Sequence, residues 1–67
     1  MAVIATVVMI RNEKHTVRGY VDEQGTVEII EVRNSAKLGV SPRELSRASW
    51  KKLEDAIKTA WKMREEH

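Results

Sequence analysis

Three kinds of hydrophobic pattern follow one another along the chain. Residues 3–10 are apolar almost without a break, with Val3, Ile4, Val7, Val8, Met9 and Ile10 enclosing only Ala5 and Thr6. β-Branched side chains with no polar alternation suit a strand covered on both faces, which belongs in the middle of a sheet. From His15 to Val21 the pattern turns to alternation: Val17, Gly19 and Val21 lie on one side, Thr16, Arg18 and Tyr20 on the other. That is a strand with one buried face. A third strand follows over residues 26–33, but its phase slips. Val27 and Ile29 favour one face while Ile30 and Val32 favour the other, so either a bulge sits near Ile29 or both faces are covered. Polar residues 11–14 separate the first two strands, and the Asp and Gly of residues 22–25 give a hairpin signal before the third. The expected strands span residues 2–11, 15–22 and 26–33.

From Ser41 onward the period becomes helical. Ser41 is a good N-cap, Pro42 suits the first helical position, and Glu44 stands where a capping box wants an acid. At about 100° per residue, Leu45, Ala48, Trp50, Leu53, Ala56, Ile57, Ala60, Trp61 and Met63 share one broad face. The spacing predicts a helix over residues 42–65. Ser46 and Ser49 bracket a weaker passage, so a short first turn, a break near 46–49 and then the main helix is the alternative. Before it, residues 34–40 form a loop in which Gly39 is available for a positive φ. The whole reads as an α+β fold in a single small domain, residues 1–67: a three-stranded antiparallel sheet followed by one long C-terminal amphipathic helix packed on one face. One helix covers only one face of such a sheet, while the first and third strands offer apolar side chains to both. A homodimer is therefore expected, with a strongly curled, barrel-like sheet as the alternative.

Composition narrows the possibilities. A chain of 67 residues buries only about 60% of its unfolded surface, so association would help its small core. Without cysteine it has no disulfide, zinc–thiolate site or thiol nucleophile, which is compatible with the cytoplasm. The apolar segment at residues 2–10 is about half the roughly 20 residues a membrane span needs, and it reads as a strand in a mature soluble protein. There is no internal repeat, and neither a cofactor, a metal nor a small-molecule substrate is implied. No nucleophile–base pair or set of paired carboxylates converges, so an enzyme is not expected. His15 and His67 have no visible partner, and Trp50 and Trp61 read as packing residues.

Charge changes the picture more. The net charge is +2, yet residues 33–52 hold Arg33, Lys37, Arg43, Arg47, Lys51 and Lys52 against the single acid Glu44. That stretch carries +5, and the rest of the chain is acidic by three. A basic loop feeding a helix N-terminus is a coherent phosphate site, to which Ser41 and Ser46 add hydroxyl donors. The first functional reading is thus a small nucleic-acid-binding, regulatory protein, with DNA favoured over RNA. A solvated basic face would look the same in sequence. Thr16, Arg18 and Tyr20 offer a second surface, since small sheets can also lie in a DNA groove. The reading from a different class is a protein-interaction module, an inhibitor or adaptor, that uses the apolar second face of the sheet.

Residues 36–47, AKLGVSPRELSR, carry one resemblance. The stretch resembles the turn and recognition-helix half of bacterial helix-turn-helix repressors, in which a Leu-Gly-Val-Ser turn precedes a helix with an apolar residue at the Leu45 position. The resemblance implies Ser41, Pro42, Arg43, Ser46 and Arg47 at a DNA groove, with Arg43 and Arg47 contacting bases or phosphates. It also requires a helix before the turn, where Val27 to Arg33 is β-branched. A glycine turn followed by a capping box accounts for the same letters.

Overall fold

The structure, a computed structural model, describes residues 2–65, and His67 lies outside them. Three strands, β1 (Ala2–Ile10), β2 (Glu13–Val21) and β3 (Val27–Arg33), form one antiparallel sheet in the order β1-β2-β3, and a single α-helix, α1 (Arg47–Glu65), packs on one face. Both strand connections are local. Arg11 and Asn12, with φ 52° and 65°, make a two-residue turn whose two left-handed positions match the twist of the flanking strands. At the other connection the Asp22 carboxylate accepts hydrogen bonds from the Gln24 and Thr26 N–H groups, both at 2.9 Å, and Gly25 takes φ 84°.

The alternating strand β2 is the central one. His15, Val17, Gly19 and Val21 are all buried beneath α1, whereas Thr16 and Arg18 are exposed on the outer face. The core joins Val17 and Val21 to Ile4, Val8, Ile10, Val32, Leu53 and Ile57, and Trp50, Ala56, Ala60 and Trp61 pack around it. The apolar strand β1 lies at an edge, contrary to the expectation that it runs through the middle. Its even-numbered residues face the helix, but Val3, Val7 and Met9 remain about half exposed, at 53%, 51% and 50%. Absence of polar alternation therefore marks a strand whose second face meets solvent, not one sandwiched between layers.

The slipping phase of β3 is a bulge. Gly19 pairs with Ile29 and Arg18 with Glu31, so Ile30 is the extra residue between them and is 49% exposed. The helix is shorter than its pattern suggests. The Ser41–Glu44 capping box is present, but it closes only a 3₁₀ turn, Pro42–Glu44, after which Leu45 is extended with ψ 142°. Ser46 then caps the true helix, its Oγ accepting from the Ser49 N–H at 3.1 Å. The continuous 42–65 helix thus gives way to its alternative, a short first turn followed by the main helix, with the interruption at Leu45–Ser46 and residues 47–49 already helical. Ala48 and Met63, placed on the buried face by the 100° count, are exposed on its margin. With β3 ahead of the turn, the segment resembling a helix-turn-helix has no first helix, and that resemblance ends at the level of the letters. No helix of the described residues is long and apolar enough to cross a membrane.

Leu53 and Ile57 are fully buried while Lys58 and Met63 are exposed. Leu53→Ala or Ile57→Ala should cost about 2–5 kcal/mol in chemical denaturation, enough to unfold much of a domain this small. Lys58→Ala and Lys62→Ala, also at exposed positions, should each cost less than about 0.5 kcal/mol. Equal losses at both kinds of position would mean that another face of α1 is the packed one.

Candidate nucleic-acid interface

The basic stretch is pinned to one end of the sheet by two apolar anchors. Val40 and Leu45 are half-buried against the core, so the segment between them must arch outward. The loop before them is organised by Asn34. Its Oδ1 accepts from the Ala36 and Leu38 N–H groups, each at 3.0 Å, while its carbonyl accepts from the Lys37 N–H at 2.9 Å. The chain therefore reverses before it reaches Gly39, and Lys37 takes the left-handed conformation, φ 65°, that the sequence assigns to Gly39. For a non-glycine residue that conformation costs about 1–2 kcal/mol. Gly39 instead bridges to Arg33, and the Val40 N–H donates to the Val32 carbonyl at 2.8 Å.

Two hydrogen-bonded groups tie this loop down. The Arg33 guanidinium forks onto Glu31, with Nε 3.0 Å from Oε1 and Nη2 3.3 Å from Oε2, and its Nη1 donates to the Lys37 carbonyl at 3.0 Å. The Glu31 carboxyl is held below its usual range by the Arg33 hydrogen bonds, and Arg33 is raised by the same contact. From β2, Glu13 accepts from the Ser35 hydroxyl at 2.6 Å and from the Ser35 N–H at 3.3 Å. These bonds, the hydroxyl one first, hold the Glu13 carboxyl below its usual range.

Of the seven residues singled out in the sequence, four lie between the Asn34 loop and the first turn of α1 with their side chains available. Lys37 is exposed in the Asn34 loop, Arg43 on the arch and Arg47 at the first turn of α1, and no hydrogen bond or ion pair engages their side chains among the described residues. Ser41 Oγ accepts from the Arg43 N–H at 3.3 Å, which leaves its hydroxyl proton to donate. Lys51 shares the Arg47 face one helical turn on, but it borders a hollow with Gln24, Val27, Glu54 and Lys58. Arg33 is committed to Glu31. Lys52 points the other way, its Nζ donating to the Met9 carbonyl on β1 at 2.7 Å.

The turn between β1 and β2 brings a residue that sequence reasoning missed. Arg11 lies beside Glu13, His15, Glu44, Ser46 and Ser49 around a shallow cleft of about 220 Å³ at the start of α1. A charged residue in a polar turn gave no sign of which end of the helix it would meet. His15 is buried, with Nδ1 3.0 Å from the Glu13 carbonyl oxygen; since that oxygen only accepts, the ring proton belongs on Nδ1. Glu44 is used in the capping box, where it accepts from the Ser41 N–H at 2.8 Å. The nearby acids Glu13, Glu31 and Glu44 are thus all engaged, while three of the cations are not. Among the described residues no group of three His, Cys, Asp or Glu is placed to hold a metal ion.

Comparison with protein-family models, with curated proteins and with solved structures gave no match.

A carboxyl lowered in the folded state stabilises the loop above its unfolded pKa and stops doing so as pH falls through the folded one. The Glu13–Ser35 contact should therefore hold at neutral pH and release below the ordinary carboxylate range of about 4. Ser35→Ala should move the Glu13 midpoint upward in an NMR titration, and an unmoved midpoint would remove Ser35 as its cause.

Proposed function

We propose that the chain is a small nucleic-acid-binding protein that grips phosphates through Lys37, Arg43 and Arg47, with Lys51 extending the contact along α1. One observation carries the reading: Lys37, Arg43 and Arg47 are exposed and unengaged, while the acids near them, Glu13, Glu31 and Glu44, are each tied up in structural hydrogen bonds. Ser41 supplies a hydroxyl donor beside Arg43. Arg33 and Lys52 are better read as structural, one clamping the loop and the other reaching the edge of the sheet. Contacts of this kind position a protein on the phosphate backbone and do not by themselves read sequence. Duplex DNA is the first candidate ligand, a regulatory role follows from it, and a cysteine-free chain suits the cytoplasm.

A second reading has its own support. Val3, Val7 and Met9 form an exposed apolar column on the sheet face away from α1, beside Thr16, Arg18 and Tyr20 of β2. An inhibitor or adaptor would dock there. Salt separates the two, because phosphate neutralisation releases counterions and apolar docking does not.

Duplex DNA or RNA should bind with a slope of log K against log salt of about −0.9 per phosphate neutralised. The double variant Arg43→Glu, Arg47→Glu should lose that binding with its circular dichroism unchanged. Arg33→Ala, by contrast, should loosen the loop more than it changes the salt slope. If no nucleic acid binds at about 50 mM salt, where nonspecific attraction is strong, the apolar column becomes the leading surface.

A further inference from the structure

The two edges of the sheet are treated differently. On β3 the edge is bulged at Ile30, carries Glu28 and Glu31, and is covered at its end by Gly39 and Val40. All three are devices that stop strands from adding. On β1 the edge spans nine residues with no charge, proline or bulge.

Which of its backbone groups are free follows from the turn. A two-residue turn with both positions left-handed makes Ile10 and Glu13 the hydrogen-bonded pair that closes the hairpin. Counting back by twos, Ala2, Ile4, Thr6 and Val8 also direct their N–H and C=O groups toward β2. Val3, Ala5, Val7 and Met9 direct theirs outward. The Met9 carbonyl bears this out, since it reaches the Lys52 Nζ from the open side.

We propose that β1 pairs antiparallel with β1 of a second copy about a two-fold axis at Ala5, giving one six-stranded sheet. This register uses every outward N–H and C=O of Val3, Ala5 and Val7, while the Met9 carbonyl stays with Lys52: Val3 meets Val7 of the second copy, Ala5 meets Ala5, and about six hydrogen bonds form. The paired outer-face side chains are all apolar, and no like charges meet. The two helices then lie on the same face of the sheet. Lys52 identifies the flank of α1 that overhangs β1, and helical spacing puts Ala56, Thr59 and Met63 on it. These residues are small or, in Met63, apolar and 61% exposed, so the two helices can approach over the axis. A second copy fits this edge because the edge is its own complement, and a domain below about 70 residues gains needed stability from it. The pairing does not depend on nucleic-acid binding.

Native mass measurement and sedimentation of the whole chain at about 50 µM should give twice the chain mass, with little dependence on salt. Ala5→Pro removes an outward N–H without touching the ladder to β2, so it should give a monomer with unchanged circular dichroism. Should that variant misfold, Ala5→Cys keeps the proposal open to test. Across the axis the two Cα atoms would lie about 5.5 Å apart, within the range a disulfide spans. In a chain with no other cysteine, oxidation should then yield covalent dimers from Ala5→Cys and none from Ile30→Cys. A wild-type monomer at that concentration, or an Ala5→Pro chain that still dimerises, overturns the pairing. The Arg43→Glu, Arg47→Glu variant must remain dimeric, so losing nucleic-acid binding there bears only on the proposed function.

Discussion

Gly19 lies in the middle of the central strand directly beneath Ile57, and how closely α1 rides on the sheet depends on its lack of a side chain. A Cβ at this position would fall 3.1 Å and 3.2 Å from the two γ-carbons of Ile57 and 3.3 Å from the Glu28 carbonyl oxygen. Contacts that short are repulsive, and a close-packed interior has little slack to relieve them. With glycine there, Ile57 and Leu53 drop between Val17 and Val21 and are sealed completely. The register between β2 and β3 shifts at the same point, and the shift throws Ile30 outward.

Once α1 is fixed over Gly19, the rest of the molecule falls into place around it. One flank of the helix meets the edge of β1 through Lys52, and the other borders the start of β3 through Lys51 and Glu54. The N-terminus of α1 is carried to the end of the sheet where the β1–β2 turn and the Asn34 loop also arrive. Cations separated by many residues in the chain therefore share one end, while the acids among them are consumed in building it. The same placement leaves β1 as an open apolar edge. Basic end and apolar edge are thus separate surfaces produced by a single packing decision.

Much of this fold was legible in the sequence. Alternation through Val17, Gly19 and Val21 identified the buried face of β2, and the phase slip at Ile29 and Ile30 anticipated the bulge. The strand order was harder to see. An unbroken apolar run such as Val3 to Ile10 says that both faces tolerate hydrophobic side chains, but it cannot distinguish burial between layers from an edge awaiting a partner. The capping box at Ser41 was real, yet hydrogen-bond letters do not report the length of what they cap, and the extended Leu45 ended that turn after three residues. Lys37 took the strained conformation because Asn34, through its side chain, reversed the chain early, an effect invisible to a reading that looks for glycine. At the candidate interface, the exposure of Lys37, Arg43 and Arg47 could be anticipated from a contiguous basic stretch, whereas the place of Arg11 and the diversion of Lys52 to Met9 depended on tertiary placement.

The coupling between Gly19 and Ile57 is the direct test of this account, and a double-mutant cycle on folding stability measures it. Gly19→Ala alone should destabilise by about 1–3 kcal/mol through overpacking, and Ile57→Leu alone by less than about 1.5 kcal/mol. Combined, leucine, with one γ-carbon where isoleucine has two, should make room for the new methyl group, so that the double variant loses less than the sum by more than about 0.5 kcal/mol. Costs that add to within about 0.3 kcal/mol would mean that the two residues do not meet, and the placement of α1 over the centre of the sheet would be wrong.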